Sequence, residues 1–128
     1  MPTGGVFRLN LGGTRIKDIS ALSGCSELTL NDCHCITDYS SLRTQYKLDL
    51  SGVPITDAVV KQLSKVKYVR LAGCTKVTDV TALRSAFSVD VSNCTSVTSV
   101  ASLANVHMLN ISGCIGIDTA RKQSSLAY

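Results

Sequence analysis

Apolar residues in this chain fall in pairs two residues apart, and the pairs return at nearly constant intervals. The first member stands at Leu9, Leu28, Leu48, Val69, Val89 and Leu109, in steps of 19, 20, 21, 20 and 20 residues. The second follows at Leu11, Leu30, Leu50, Leu71, Val91 and Ile111. Such alternation predicts a short β-strand with one face buried. After a turn, Ile16, Ile36, Ile55, Val77, Val97 and Ile117 point inward again, and Leu22, Leu42, Leu63, Leu83 and Leu103 close the layer. One such unit cannot make a core alone, but stacked on its equivalents it builds a continuous aliphatic one. The pattern therefore predicts a single solenoid domain over residues 1–128, with repeats at about 6–25, 26–45, 46–66, 67–86, 87–106 and 107–128.

The segment before each closing Leu is too short for a regular helix, so a 3₁₀ turn or a single helical turn is expected there. Two repeats depart from the pattern. Residues 55–66, ITDAVVKQLSKV, hold two extra residues before Leu63 and predict a short α-helix. The sixth repeat has Gln123 where Leu should stand, with Leu126 placed to fill the gap.

The phrases approach the form L-x-L-x-x-C-x-x-I-T-D, as in VRLAGCTKVTD at residues 69–79, and this pattern resembles the leucine-rich repeat. The cysteine-bearing turn is similar to the cysteine-containing subclass, and the segments DISAL and DVTAL look like the convex side of bacterial internalin repeats. Over residues 6 to about 119 the resemblance implies an α/β solenoid. That is a right-handed coil with a parallel concave sheet of six short strands and 3₁₀ or single-turn helices on the convex side.

Composition narrows the function. Hydrophobic residues make up 45% of the 128 and aromatics only 5%, so the core is built from aliphatic side chains and cysteine. Thirteen Lys and Arg against nine Asp and Glu give a net charge of +4, and no stretch carries five like charges in a row. That is a mildly basic chain and not the footprint of a nucleic-acid binder. No apolar run is long enough to span a membrane, and the opening MPTGGVFRLNL lacks the basic and apolar regions of a secretory signal. An intracellular, cytoplasmic protein with six reduced thiols is expected.

The cysteines follow the repeat. Cys33, Cys74, Cys94 and Cys114 each lie three residues after the second strand residue, where repeats one and three carry Thr14 and Val53. A small side chain turned beneath the bend suits that place, and free Cys packs as a small hydrophobe. The run Cys33-His34-Cys35 has zinc-ligand chemistry but no second pair to complete four ligands, so neither a metal nor another cofactor is expected. Asp18, Asp38, Asp57 and Asp79, with Ser99 in the fifth repeat, precede the short turns and are expected to cap their free N–H groups. No G-x-S-x-G, phosphate-binding glycine loop or HExxH is present, and neither His34 nor His107 falls in register with a Ser backed by an Asp. The chain reads as a non-enzyme with no small-molecule substrate. Asn93-Cys94-Thr95 and Asn110-Ile111-Ser112 are sequons that matter only outside the cell.

What remains is the solvent side of the strands. It carries Arg8 and Asn10; Glu27, Thr29 and Asn31; Lys47, Asp49 and Ser51; Tyr68, Arg70 and Ala72; Ser88, Asp90 and Ser92; and Met108, Asn110 and Ser112. Its three cations and three anions cancel. Tyr68 and Arg70 are of the types enriched in binding hot spots, and Met108 adds an adaptable apolar contact. The expected function is a protein-protein interaction module using this face. The alternatives are a structural subunit held by its ends or convex side, and a secreted internalin-like adhesin fragment. At the N-terminal end Val6, Leu9, Leu11 and Ile16 predict an open apolar layer and strand edge through which the chain meets a partner, another copy of itself or an upstream part of its own chain, whereas the polar tail 121–125 is expected to cover the other end.

Overall fold

The computed structural model describes residues 7–117. Six strands, β1 (Arg8–Asn10), β2 (Glu27–Thr29), β3 (Lys47–Asp49), β4 (Tyr68–Arg70), β5 (Ser88–Asp90) and β6 (Met108–Asn110), pair in chain order in one parallel sheet. The register is unstaggered, with Leu9, Leu28, Leu48, Val69, Val89 and Leu109 side by side. The backbone ladder continues past the strands, as where Leu50 N–H donates to the Arg70 carbonyl at 2.8 Å and Gly52 N–H to that of Ala72 at 2.9 Å. The chain then bends at one fixed position, Gly13, Asp32, Gly52, Gly73, Asn93 and Gly113, with φ between 58° and 76°. Asp and Asn are the side-chain-bearing residues that tolerate this left-handed conformation, so the turn geometry selects the residue types seen.

The return path runs through the 3₁₀ turns Ser20–Leu22, Ser40–Thr44, Thr81–Ser85 and Ala101–Leu103. The third repeat has α1 (Asp57–Val60) followed directly by a 3₁₀ turn, Lys61–Leu63, as its two extra residues foretell. Between sheet and turns lie the expected aliphatic rows, and more: Val80 and Ala86 of repeat four are also buried, so a middle repeat contributes more than four inward side chains. Among the described residues two buried positions are polar, Ser92 and, deeper in the core, Gln45. Gln45 stands where Cys25, Val66 and Ala86 stand in other repeats and is 2% exposed. Its amide N–H donates to the Leu22 carbonyl at 3.3 Å, while its Oε1 has no partner.

The cysteine row does more than fill space. Cys33, Cys74, Cys94 and Cys114 donate Sγ–H to the carbonyls of Leu11, Leu50, Leu71 and Val91 in the preceding repeat, at 2.9–3.3 Å. Burial pushes the Cys74 thiol up to about 12 and that of Cys94 to about 11, so both remain protonated donors at neutral pH.

The acidic column divides. Asp18, Asp38, Asp79 and Ser99 accept the N–H of the residue two positions on, at 2.9–3.3 Å, as capping requires. Those N–H groups, with the Ser20 and Ser40 hydroxyls, hold Asp18 and Asp38 below the usual carboxylate range. Asp57 corrects the expectation. Its carboxylate turns to the next repeat and accepts the Thr78 hydroxyl and the N–H groups of Thr78 and Asp79. Lengthening repeat three places Asp57 on the first turn of α1, where it clasps its neighbour rather than its own turn.

Among the described residues the apolar layer is less covered at both ends than in the middle. Leu9, Leu11, Ile16 and Leu22 are only partly buried at the first repeat, as expected. The last described repeat is open as well, for Leu109 is 36% exposed and a 650 Å³ groove lies over Val100, Leu103, Val106 and Ile111. Val6, Gln123, Leu126 and the tail 121–125 lie outside the described residues.

Candidate functional site

The solvent face of the sheet forms a groove of 670 Å³ running from β1 to β6. Of the expected site residues it brings together Arg8, Asn10, Glu27, Thr29, Lys47, Asp49, Tyr68, Arg70, Ser88 and Met108. Asp90 joins through an ion pair. Asn31, Ser51 and Asn110 sit at the margin, where local hydrogen bonds occupy them. The Asn31 amide donates to Asp32 at 3.4 Å, Ser51 Oγ accepts the N–H of Ala72 at 3.2 Å, and Asn110 Oδ1 accepts the N–H and hydroxyl of Ser112.

Arg70 is the fixed point of the charged centre. Its Nη1 lies 3.6 Å from Asp49 Oδ2 and its Nε 3.3 Å from Asp90 Oδ2, so one guanidinium bridges three adjacent strands. The remaining oxygen of each carboxylate is held by its own turn, with Asp49 Oδ1 accepting Ser51 N–H and Asp90 Oδ1 accepting Ser92 N–H, both at 2.9 Å. Each carboxylate is thus held by its own turn as well as by the arginine, and a planar guanidinium meets two fixed acceptors. Arg8 pairs with Glu27 at 3.3 Å. The face is neutral overall, and of its charged residues Arg8, Glu27, Asp49, Arg70 and Asp90 are ion-paired.

An aromatic row borders this centre. The Tyr46 and Tyr68 rings lie 5.3 Å apart, Tyr68 and Phe87 5.5 Å, and Phe87 and His107 4.7 Å, the last pair stacked. Lys47 Nζ lies 5.9 Å from the Tyr68 ring centre. The Tyr68 phenol also raises the pKa of its neighbour Tyr46. Tyr46 is 52% exposed, Phe87 38% and Met108 58%, so the rim offers apolar surface to solvent. Of this row the expected site contained only Tyr68. His107 is stacked on Phe87, and the ring of His34 meets the Gly52 carbonyl at 3.1 Å.

No protein-family model and no curated protein matches the sequence. Among solved structures, internalin C2 from Listeria monocytogenes superimposes with a TM-score of 0.53 and 28% identity, over 80% of this chain and 49% of that one. The likeness, the one-strand-per-repeat sheet and the in-register apolar rows agree. This is a leucine-rich-repeat solenoid. It spans about half the length of the internalin C2 structure. The functional domain of InlJ from Listeria monocytogenes, described as including a cysteine ladder, overlaps at a TM-score of 0.43 with 16% identity over 86% of this chain and 35% of that one, too loosely to carry weight. In the leucine-rich-repeat frame the aromatic row and the Arg70 bridge are the features that the repeat itself does not require. No helix of the described residues is long and apolar enough to cross a membrane.

Proposed function

We propose that this solenoid is a non-catalytic protein-interaction module that takes its partner along the sheet face, with Tyr46, Tyr68, Phe87, His107 and Met108 as the apolar anchor. The observation that carries the reading is the unbroken row of rings, exposed at Tyr46, Phe87 and His107 and half-buried at Tyr68, beside a groove whose charges balance. Rings give large contact area at low cost in side-chain entropy, and central aromatic and arginine residues dominate interface energies. Asp49, Arg70 and Asp90 then set orientation, because the partner must match a fixed alternation of charge across three strands.

The test compares a partner's affinity for the wild-type chain with its affinity for Tyr68→Ala, Arg70→Ala. A loss of about 30-fold or more is expected for hot-spot residues. Unchanged affinity removes the sheet face from the reading. A second reading, self-association through the ends, draws support from the open layers around Leu9 and Leu109. Sedimentation then shows concentration-dependent association that a polar capping repeat fused ahead of residue 6 abolishes, and a clean monomer without the cap rejects it.

A further inference from the structure

The positive excess of the chain is not on the sheet face, where cations and anions balance. Part of it gathers on the opposite side, around the third repeat, the longest of the array. Arg43 comes from the second repeat, Lys61 and Lys65 from the third, and Arg84 from the fourth, and all are exposed. Two shallow grooves lie among them. One, of 430 Å³, is lined by Arg43, Thr44, Lys61, Ser64 and Lys65. The other, of 480 Å³, is lined by Lys61, Ser64, Thr81, Arg84, Ser85 and the carboxylate-bearing Asp79. Lys61 and Ser64 belong to both, so the grooves meet over the helical segment of repeat three.

Among the described residues, the three ion pairs all lie on the sheet face, and none involves these four cations. The carboxylates closest in charge coupling, Asp57 and Asp79, feel Lys61 but are hydrogen-bonded to Thr78 and Thr81. Insertions in repeat arrays collect on one face, often the one that binds. Here Lys61, on which both grooves converge, directly follows α1, the segment that lengthens the third repeat.

We infer that this face docks an acidic protein segment, its carboxylates set among Arg43, Lys61, Lys65 and Arg84 and hydrogen-bonded by the hydroxyls of Ser64 and Ser85. Charge complementarity selects an anionic partner, and the rest of the lining selects its class. Neither groove contains an aromatic ring on which a base would stack, and Asp79 interrupts any path for a phosphate backbone. The exposed large apolar side chains, Phe7, Tyr46, Phe87, Met108, Leu109 and Ile115, lie elsewhere, so nothing here would enter a lipid surface. Spaced cations alternating with hydroxyl donors fit discrete carboxylates.

The test uses fluorescence anisotropy of a fluorescein-labelled octapeptide of alternating glutamate and glycine at low ionic strength. The whole chain should bind it, and added salt should weaken the binding because exposed charges are screened. Lys61→Glu, Arg84→Glu should lower the affinity at least about tenfold, as expected for two lost charge-assisted contacts replaced by repulsion. The neutral pair Lys61→Gln, Arg84→Gln should lose less, and serves in its place if charge reversal disturbs the circular dichroism spectrum. Tyr68→Ala, Arg70→Ala should bind the peptide as the wild type does, which separates this face from the sheet face. No binding, binding indifferent to the charge of residues 61 and 84, or tighter binding to oligothymidylate or phosphatidylserine vesicles would each overturn the inference.

Discussion

Residues at one register position meet different surroundings in the middle of the solenoid and at its ends. Val69 and Val89 are buried on β4 and β5, yet their equivalents Leu9 and Leu109 are only partly covered. The side chains are alike; the neighbouring repeat is what changes. Each layer is completed from outside itself, so burial belongs to a pair of repeats and not to a residue. The proposed sheet-face site exploits this, since Arg70 and its two carboxylates sit on the middle strands whose supports are complete on both sides.

The comparison is broken most directly by deleting equivalent side chains. Leu48→Ala, buried in the middle of the row that ends at Leu109, should lower the unfolding free energy in urea by about 2–5 kcal/mol, and Leu109→Ala by less than about 1 kcal/mol. Equal losses would mean that the last repeat is as well supported as the third.

A polar residue in a middle layer sharpens the point from the other side. Gln45→Met keeps the shape and removes the partnerless Oε1, and should raise stability by about 1–2 kcal/mol. The Leu22 carbonyl still accepts Cys25 N–H at 3.0 Å, so no new orphan is created. A loss of stability would show that the Gln45 amide bond outweighs its buried oxygen.

The smallest effect concerns the clasp between repeats three and four. Burial raises the Asp57 pKa, but the Thr78 hydroxyl, the N–H groups of Thr78 and Asp79, and the Lys61 charge outweigh it and bring it below 3.8. A carboxyl that titrates lower when folded stabilises the fold above its unfolded pKa, and that contribution fades as pH falls through the folded value. Between about pH 6 and pH 2, Asp57→Asn should therefore lose less stability than the wild type, by under about 1 kcal/mol for a partly exposed group. Identical acid limbs would show that the clasp holds no charge-dependent strength.

The fold was legible because the period is carried by six copies of the same spacing, and the paired residues are those the spacing aligned. The site was legible only where strand alternation reaches. Tyr46, Phe87 and His107 stand one residue ahead of their strands, where alternation assigns them inward, yet they turn out at the rim, Tyr46 and Phe87 against Tyr68 and His107 against Phe87. A signal for the held carboxylates was present in Asp49-Leu50-Ser51 and Asp90-Val91-Ser92, since Asp followed two residues later by Ser favours a turn closed by the Asp side chain. The Asp57 clasp had none, because it depends on where a two-residue insertion places one carboxylate against the next coil.

One exchange in the cysteine row sets how the coil would yield under tension. Sulfur cross-bonds join repeats one to two, three to four, four to five and five to six. Between the second and third stands Val53, and beside the backbone ladder and the apolar layer that seam has the His34 contact to Gly52. Joints loaded in series open first at the one with fewest fasteners. Stretched from both ends, the molecule would part there, leaving a block of two repeats and a block of four, a fracture line drawn by one branched hydrocarbon in place of a thiol.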